Sequence, residues 1–129
     1  MIREDKKITI FGDGNQSRDF TYITNVVKAN ILACKSDAAV GEVYNIACAE
    51  PITINQLVQK LASLLGKDVD FVYAAPRAGD VKHSYALIEK AKRDLGYEVD
   101  KRFDDGLSET VSYFSDTSTK LYYTSAEEL

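Results

Sequence analysis

Two arginines stand where a chain could grip an anion. Arg18 lies in the polar run QSRD at 16–19, and Arg77 opens RAGD at 77–80; in both loops glycine and aspartate stand nearby. A guanidinium is a planar fork of donors that stays charged at any physiological pH and matches phosphate oxygens in pairs. Two such forks from separate loops could clamp a diphosphate. Asp80 carries an acceptor-only carboxylate, which suits the hydroxyls of a ribose or a sugar. The same charges also read as ordinary solvated loop residues, because exposed ion pairs contribute little that is measurable. His83, the sole histidine, sits beside Lys82 in the second loop and reads as a solvated side chain that could approach a ligand held by its neighbours. Tyr97 and Lys101 have a Tyr-x-x-x-Lys spacing. They follow Gly96 directly, between two helices, whereas proton-transfer chemistry needs both on one helix with the lysine lowering the tyrosine's pKa. That pair reads as accidental.

The elements that must position these residues follow from periodicity. Residues 8–11 alternate as a short strand and stop at the turn GDGN, 12–15. A second extended piece is expected at 20–23. Thr24 could then cap a helix to about Lys35, with Val27, Ile31 and Cys34 on its inner face at i, i+4 and i+7. Residues 43–47 read as a buried strand. Thr53 and Gln56 have capping-box spacing before a helix whose inner face is Ile54, Leu57, Val58, Leu61 and Leu65, ended by Gly66. Another strand is expected at 69–73, then a loop through Pro76 and Gly79. A short helix follows with Ile88, Ala91 and Leu95 inward and Gly96 as its stop. Asp104 and Asp105 favour a last helix N-terminus, with Leu107, Val111 and Phe114 facing in. The tail 116–129 has no convincing period. The fold class is mixed α/β, short strands with three or four amphipathic helices, in a single domain spanning 1–129.

Bulk properties exclude several classes of function. A chain of 129 residues suffices for one core without disulfides or metals. The net charge of −4 argues against nucleic acid, which demands a basic face. It leaves room for a small anion, because a few local arginines reverse the potential in one cleft. Cys34 and Cys48 have no metal-ligand spacing and read as small core residues. The N-terminal segment has no apolar stretch of a signal peptide, and no run is long enough to span a bilayer. A cytoplasmic setting without membrane partners is expected.

Four segments then carry a resemblance. ITIFGDGNQSRDF (8–20), VYNI (43–46), PRAGDV (76–81) and KAKRDLGY (90–97) resemble, in that order, the C-terminal part of the extended short-chain dehydrogenases/reductases that act as NAD-dependent nucleotide-sugar epimerases and dehydratases. RAGDVKHS (77–84) is most similar to UDP-N-acetylglucosamine 4-epimerases, with UDP-glucuronate epimerases and dTDP-glucose dehydratases as near neighbours. The resemblance covers about 7–115. It implies the small substrate-binding lobe of that fold and a UDP- or dTDP-sugar as ligand. It implies that Arg18 and Arg77 hold the diphosphate, that Phe20 and Ile54 pack around the nucleotide, and that Asp80 bonds the ribose or diphosphate region.

The departures from the family are as informative. No G-x-G-x-x-G or G-x-x-G-x-x-G is present to cradle the NAD pyrophosphate at a helix N-terminus, so the Rossmann domain is absent from the resemblance and no cofactor is expected on this chain alone. NAD belongs to the full-length family. No catalytic tyrosine–lysine helix is present, and no catalytic or metal-binding residue is expected. Asn25 and Leu87 stand where the family usually carries aspartate, which suggests relaxed constraint there. The expected role is to hold a nucleotide sugar without turning it over alone, with a separate NAD-binding Rossmann chain as a potential partner and self-association through an uncovered apolar face. Helix 24–35 and the aromatic tail around Tyr122 and Tyr123 are the expected covering surface. A non-catalytic regulatory module and a structural remnant serving protein contacts are the alternatives.

Overall fold

A computed structural model of the chain describes residues 7–115. The expected tail surface at Tyr122 and Tyr123 lies outside them. The fold is mixed α/β, with five short strands and four α-helices among the described residues. Strand β1 (Ile8–Phe11) pairs in parallel with β4 (Phe71–Ala74), Ile8 opposite Phe71 and Phe11 opposite Ala74. A second sheet places β2 (Ser17–Asp19) between β3 (Pro51–Thr53), antiparallel, and β5 (His83–Ser84), parallel. The helices are α1 (Ile23–Lys35), α2 (Ile54–Leu65), α3 (Glu89–Leu95) and α4 (Phe103–Ser115).

Helix α2 follows its sequence signals closely. The Thr53 hydroxyl accepts from the Gln56 N–H, and the Gln56 side chain accepts from the Thr53 N–H, which satisfies two end groups at once. Gly66 ends the helix in the left-handed region, where a side chain would be strained. Helix α3 turns Ala91 and Leu95 inward below Ile88 and stops at Gly96 in the same way. These residues, with Ala29, Ala47 and Tyr97, form the principal core.

Other expectations are corrected. The extended piece lies at Ser17–Asp19 and not at 20–23: Arg18 pairs with Ile52 and Ser84, while the Phe20 ring turns in to meet Phe103 at 5.5 Å. Tyr22, not Thr24, occupies the cap position of α1, with no side-chain cap bond. The expected inner face of α1 is its outer one. Val27 and Ile31 are about half exposed, at 48% and 50%, and Cys34 is exposed, while Asn25 and Ala29 are buried. Residues 43–47 form no strand. Val43 is 82% exposed, and only Tyr44, Ile46 and Ala47 turn toward the core. The strand expected at 69–73 lies at Phe71–Ala74. On α4 the buried face is Phe103 and Gly106, and Phe114 is exposed. Pro51–Thr53 and His83–Ser84 are too short for an alternating pattern to announce them.

Asn25 overturns the reading of relaxed constraint. It is fully buried, its amide donates to the Lys101 carbonyl at 2.7 Å, and its oxygen accepts from the Asp100 and Lys101 N–H groups at 3.2 and 3.1 Å. An aspartate has no donor for that carbonyl. The asparagine therefore fits these partners, its amide also reaching the Cys48 sulfur at 3.7 Å, and helix α1 is tied through it to the segment leading into α4.

Candidate functional site

The turn GDGN gathers several polar groups at the surface. Gly12 and Gly14 both have positive φ, +86° and +73°, so the chain reverses tightly after β1. The Asn15 N–H donates to the Asp13 carboxylate at 2.9 Å, closing an Asx turn. That bond, with the Asn15 side chain and the charge of Lys82, holds the Asp13 carboxyl below its usual range. The Gln16 amide reaches back to the Phe11 carbonyl at 2.7 Å. Gln16 and Gly14 then offer their own carbonyls to the first N–H groups of α2, from Ile54 at 3.1 Å and Asn55 at 3.0 Å.

Between this turn, the end of β4 and the loop after it lies a cleft of about 850 Å³. Phe11, Tyr73 and Pro76 supply flat apolar surface, and Gln16, Asn55, Asp80 and Lys82 supply polar groups. Tyr73 is 53% exposed, which is unusual for an aromatic on a paired strand and leaves its ring open to a ligand. A cleft of this size with aromatic walls and a few convergent polar groups is suited to a nucleotide-sized molecule.

The five site residues expected from sequence are not all gathered here. Asp80 lines the cleft, held in a turn in which its N–H donates to the Arg77 carbonyl at 3.3 Å. Arg77 stands at its edge, with the guanidinium carbon 3.9 Å from the centre of the Phe11 ring. Ile54 touches the arrangement through its N–H on Gln16. Arg18 sits on β2 with its Nη1 donating to the Ser17 carbonyl at 2.7 Å. Phe20 lines a separate, smaller cleft of about 250 Å³ with Leu57, Phe103 and Leu107. His83 is exposed and its Nδ1 lies 3.0 Å from the Ser17 hydroxyl. Gln16, Asn55, Tyr73 and Lys82 are cleft residues that sequence reasoning did not single out. Gln16 and Lys82 carried a signal, their places in the two polar loops.

Tyr97 and Lys101 are far from this chemistry in kind. The Tyr97 hydroxyl is fully buried and donates to the Ala47 carbonyl at 3.0 Å; burial pushes its pKa up to about 12. Lys101 pairs with Glu109. A base-lowered tyrosine needs the opposite environment.

Comparison with known proteins points in one direction. A family model described as NAD dependent epimerase/dehydratase matches residues 1–47. A UDP-glucuronate 4-epimerase from Thermodesulfobacterium geofontis is 39% identical over 113 residues, which is 87% of this chain and 34% of that protein. A crystal structure of UDP-glucose 4-epimerase with UDP-glucose from Thermotoga maritima superposes with a TM-score of 0.81 at 39% identity, covering 88% of this chain and 36% of that one. A UDP-glucuronic acid 4-epimerase from Bacillus cereus, in complex with UDP-glucuronic acid and NAD, gives 0.83 at 34% identity, covering 93% and 37%. The chain thus spans about a third of the length of these relatives.

Proposed function

Because the chain belongs to the NAD-dependent epimerase/dehydratase family, we propose that it holds the nucleoside diphosphate of a UDP- or dTDP-sugar in the cleft beside the GDGN turn. The carrying observation is the cleft itself: aromatic surface from Phe11 and Tyr73, an acceptor at Asp80, and the Arg77 guanidinium at its edge. In this reading Arg77 and Arg18 leave their resting partners to grip the diphosphate, and Asp80 accepts from ribose hydroxyls. Phe20 and Ile54 back the site through the packing of β2 and the start of α2. Two of the solved relatives hold UDP-glucose or UDP-glucuronic acid, which supports this class of ligand.

The chain acts as the substrate-holding part of an epimerase or dehydratase and does not turn the sugar over alone. NAD, in the family, supplies hydride transfer. The helix start beside the cleft does not fit it. A dinucleotide pyrophosphate needs free N–H groups at a helix start, whereas the first three of α2 are taken by Gln16, Gly14 and Thr53. A Rossmann chain carrying NAD is the proposed partner, and the open face of α1, with Ile23, Val27 and Ile31, is the surface offered to it or to a second copy. A cytoplasmic setting is part of the same proposal; no helix among the described residues is long and apolar enough to cross a membrane.

Calorimetry or ligand-detected NMR with UDP tests the reading. UDP is expected to bind in roughly the 0.1–1 mM range, given one lobe's contacts alone. NADH should give no saturable quenching, and no epimerisation of UDP-N-acetylglucosamine should track the pure chain. Unaltered binding by an Arg18→Ala/Arg77→Ala double variant would remove the site assignment and leave a structural role.

A further inference from the structure

The residue that ties the cleft together is Asn55, and nothing in its spacing marks it for that role. It stands on the first turn of α2, lines the cleft, and bridges two walls that are remote in sequence. Its amide nitrogen donates to the Asp13 carbonyl at 3.1 Å and lies 3.5 Å from the Asn15 side-chain oxygen. Its amide oxygen accepts from the Tyr73 hydroxyl at 3.2 Å. Its backbone N–H donates to the Gly14 carbonyl. Gly14 is buried at positive φ, and the space a Cβ would need there is filled by the Asn55 carboxamide. The turn, the helix start and the end of β4 are therefore fastened by one side chain.

We propose that Asn55 is a positioning residue of the nucleotide cleft, whose carboxamide locks the turn at 12–15 against Tyr73 so that Phe11 and Tyr73 form a fixed slot for the nucleoside. The inference rests on the reading that this cleft holds a nucleoside diphosphate. Only a carboxamide of this length serves both walls. An aspartate keeps the acceptor for Tyr73 but loses the donor for the Asp13 carbonyl, and a leucine loses both. The β1–β4 ladder and the Gly12 N–H on the Ala74 carbonyl set the backbone spacing of the two walls; the Tyr73 side chain stays half exposed, so the carboxamide is what holds its hydroxyl against the turn. The lock acts on the nucleoside slot and not on the guanidinium groups of Arg18 and Arg77, which lie outside its hydrogen bonds.

That division supplies the test. The 129-residue chain and its Asn55→Ala, Asn55→Asp and Tyr73→Phe variants are titrated by NMR with UDP and, separately, with inorganic pyrophosphate; Arg77→Ala is the control. Losing the donor, or both of the bonds, is expected to weaken UDP about tenfold in Asn55→Ala and Asn55→Asp, and losing one to weaken it about threefold in Tyr73→Phe. Pyrophosphate binding should stay within about twofold of wild type in Asn55→Ala and Tyr73→Phe, which leave its partners and the charge of the cleft untouched. Without ligand, the Asn15 amide should exchange about tenfold faster in Asn55→Ala, as its turn opens. Wild-type affinity for UDP in both Asn55 variants, with Arg77→Ala weakened, sinks the positioning role and leaves the proposed function standing. Failure of the wild-type chain to bind UDP sinks both. Equal losses for UDP and pyrophosphate in those two variants, or shifts that spread into α3 and Tyr97, would mean general loosening and also overturn the role. Asn55→Asp, the smaller change, serves if Asn55→Ala does not fold.

Discussion

The core around Tyr97 and the cleft around Phe11 are held in opposite ways. In the core, Tyr97, Ile88, Ala91 and Asn25 are essentially buried, and the polar groups of Asn25 and Tyr97 are bonded to backbone from other segments. In the cleft, Phe71, Val72 and Tyr73 remain open to solvent, and the side chains of Gln16 and Asn55 tie the turn to the ends of the β1–β4 ladder. Burial of apolar area stabilises the first region; directed hydrogen bonds shape the second. The difference teaches that stability and binding are separable here. Substitutions in the core should unfold the chain, and substitutions around the cleft should change what it holds while leaving its melting nearly unchanged.

The largest effect is expected from Asn25→Leu. It takes the partner from two part-buried N–H groups and a part-buried carbonyl, and should cost about 3 kcal/mol. Asn25→Asp should cost less, about 1–2 kcal/mol, because only the bonds its amide donates, to the Lys101 carbonyl and the Cys48 sulfur, are lost. Urea midpoints measure both, and a stable Asn25→Leu protein would break the contrast with the cleft.

Next come the arginines. Arg18→Ala and Arg77→Ala should each weaken UDP binding by about 1.5–3 kcal/mol, the scale of a hydrogen bond to a charged group. Their urea midpoints should stay within about 0.5 kcal/mol of wild type, as usual for surface changes. Arg77→Lys should rescue only in part, since a point charge lacks the fork. Added salt should weaken binding. A large loss of stability in either variant would merge the two regions.

A smaller effect is expected at Ala49, which has φ +54° without being glycine. Left-handed backbone costs a side chain roughly 1–2 kcal/mol, partly offset by the extra freedom glycine has when unfolded. Ala49→Gly should therefore raise stability by about 0.5–1 kcal/mol in the same urea assay. An unchanged or lowered midpoint would mean that the loop stores no strain.

The last effect shows only at alkaline pH. Burial raises the Tyr97 pKa from 10.0 to about 12, so the folded state keeps a proton that the unfolded chain releases. Its contribution is fully present below pH 10 and is lost as pH rises toward 12. Tyr97→Phe should flatten that part of the stability profile.

The sequence discloses an element well where burial is one-sided and complete. Thr53, Gln56 and Gly66 mark α2 because capping is local chemistry, and Ile88, Ala91 and Leu95 mark α3 because all three reach the core. It misleads on α1, where the apolar stripe of Val27 and Ile31 is real but faces outward. Periodicity reports that a face is apolar and not what covers it. The run at 43–47 misleads differently: Tyr44, Ile46 and Ala47 do reach the core, but from an irregular segment that pairs with no strand. At the cleft, residue type alone left Arg77 and Asp80 open between ligand contacts and solvated loop charges, and the family resemblance is what proposed them as contacts. Asn55 was not legible, because its function depends on the turn at 12–15 and on Tyr73, which no local pattern brings together.

The most direct test is a chemical-shift map of the wild-type chain on addition of UDP. Shifts are expected to cluster at residues 11–18, 54–55 and 73–82, with α3 and Tyr97 unmoved. Shifts centred on the open face of α1 or on the Phe20–Phe103 cleft, or no saturable shifts at millimolar UDP, would contradict the proposed nucleotide-sugar site.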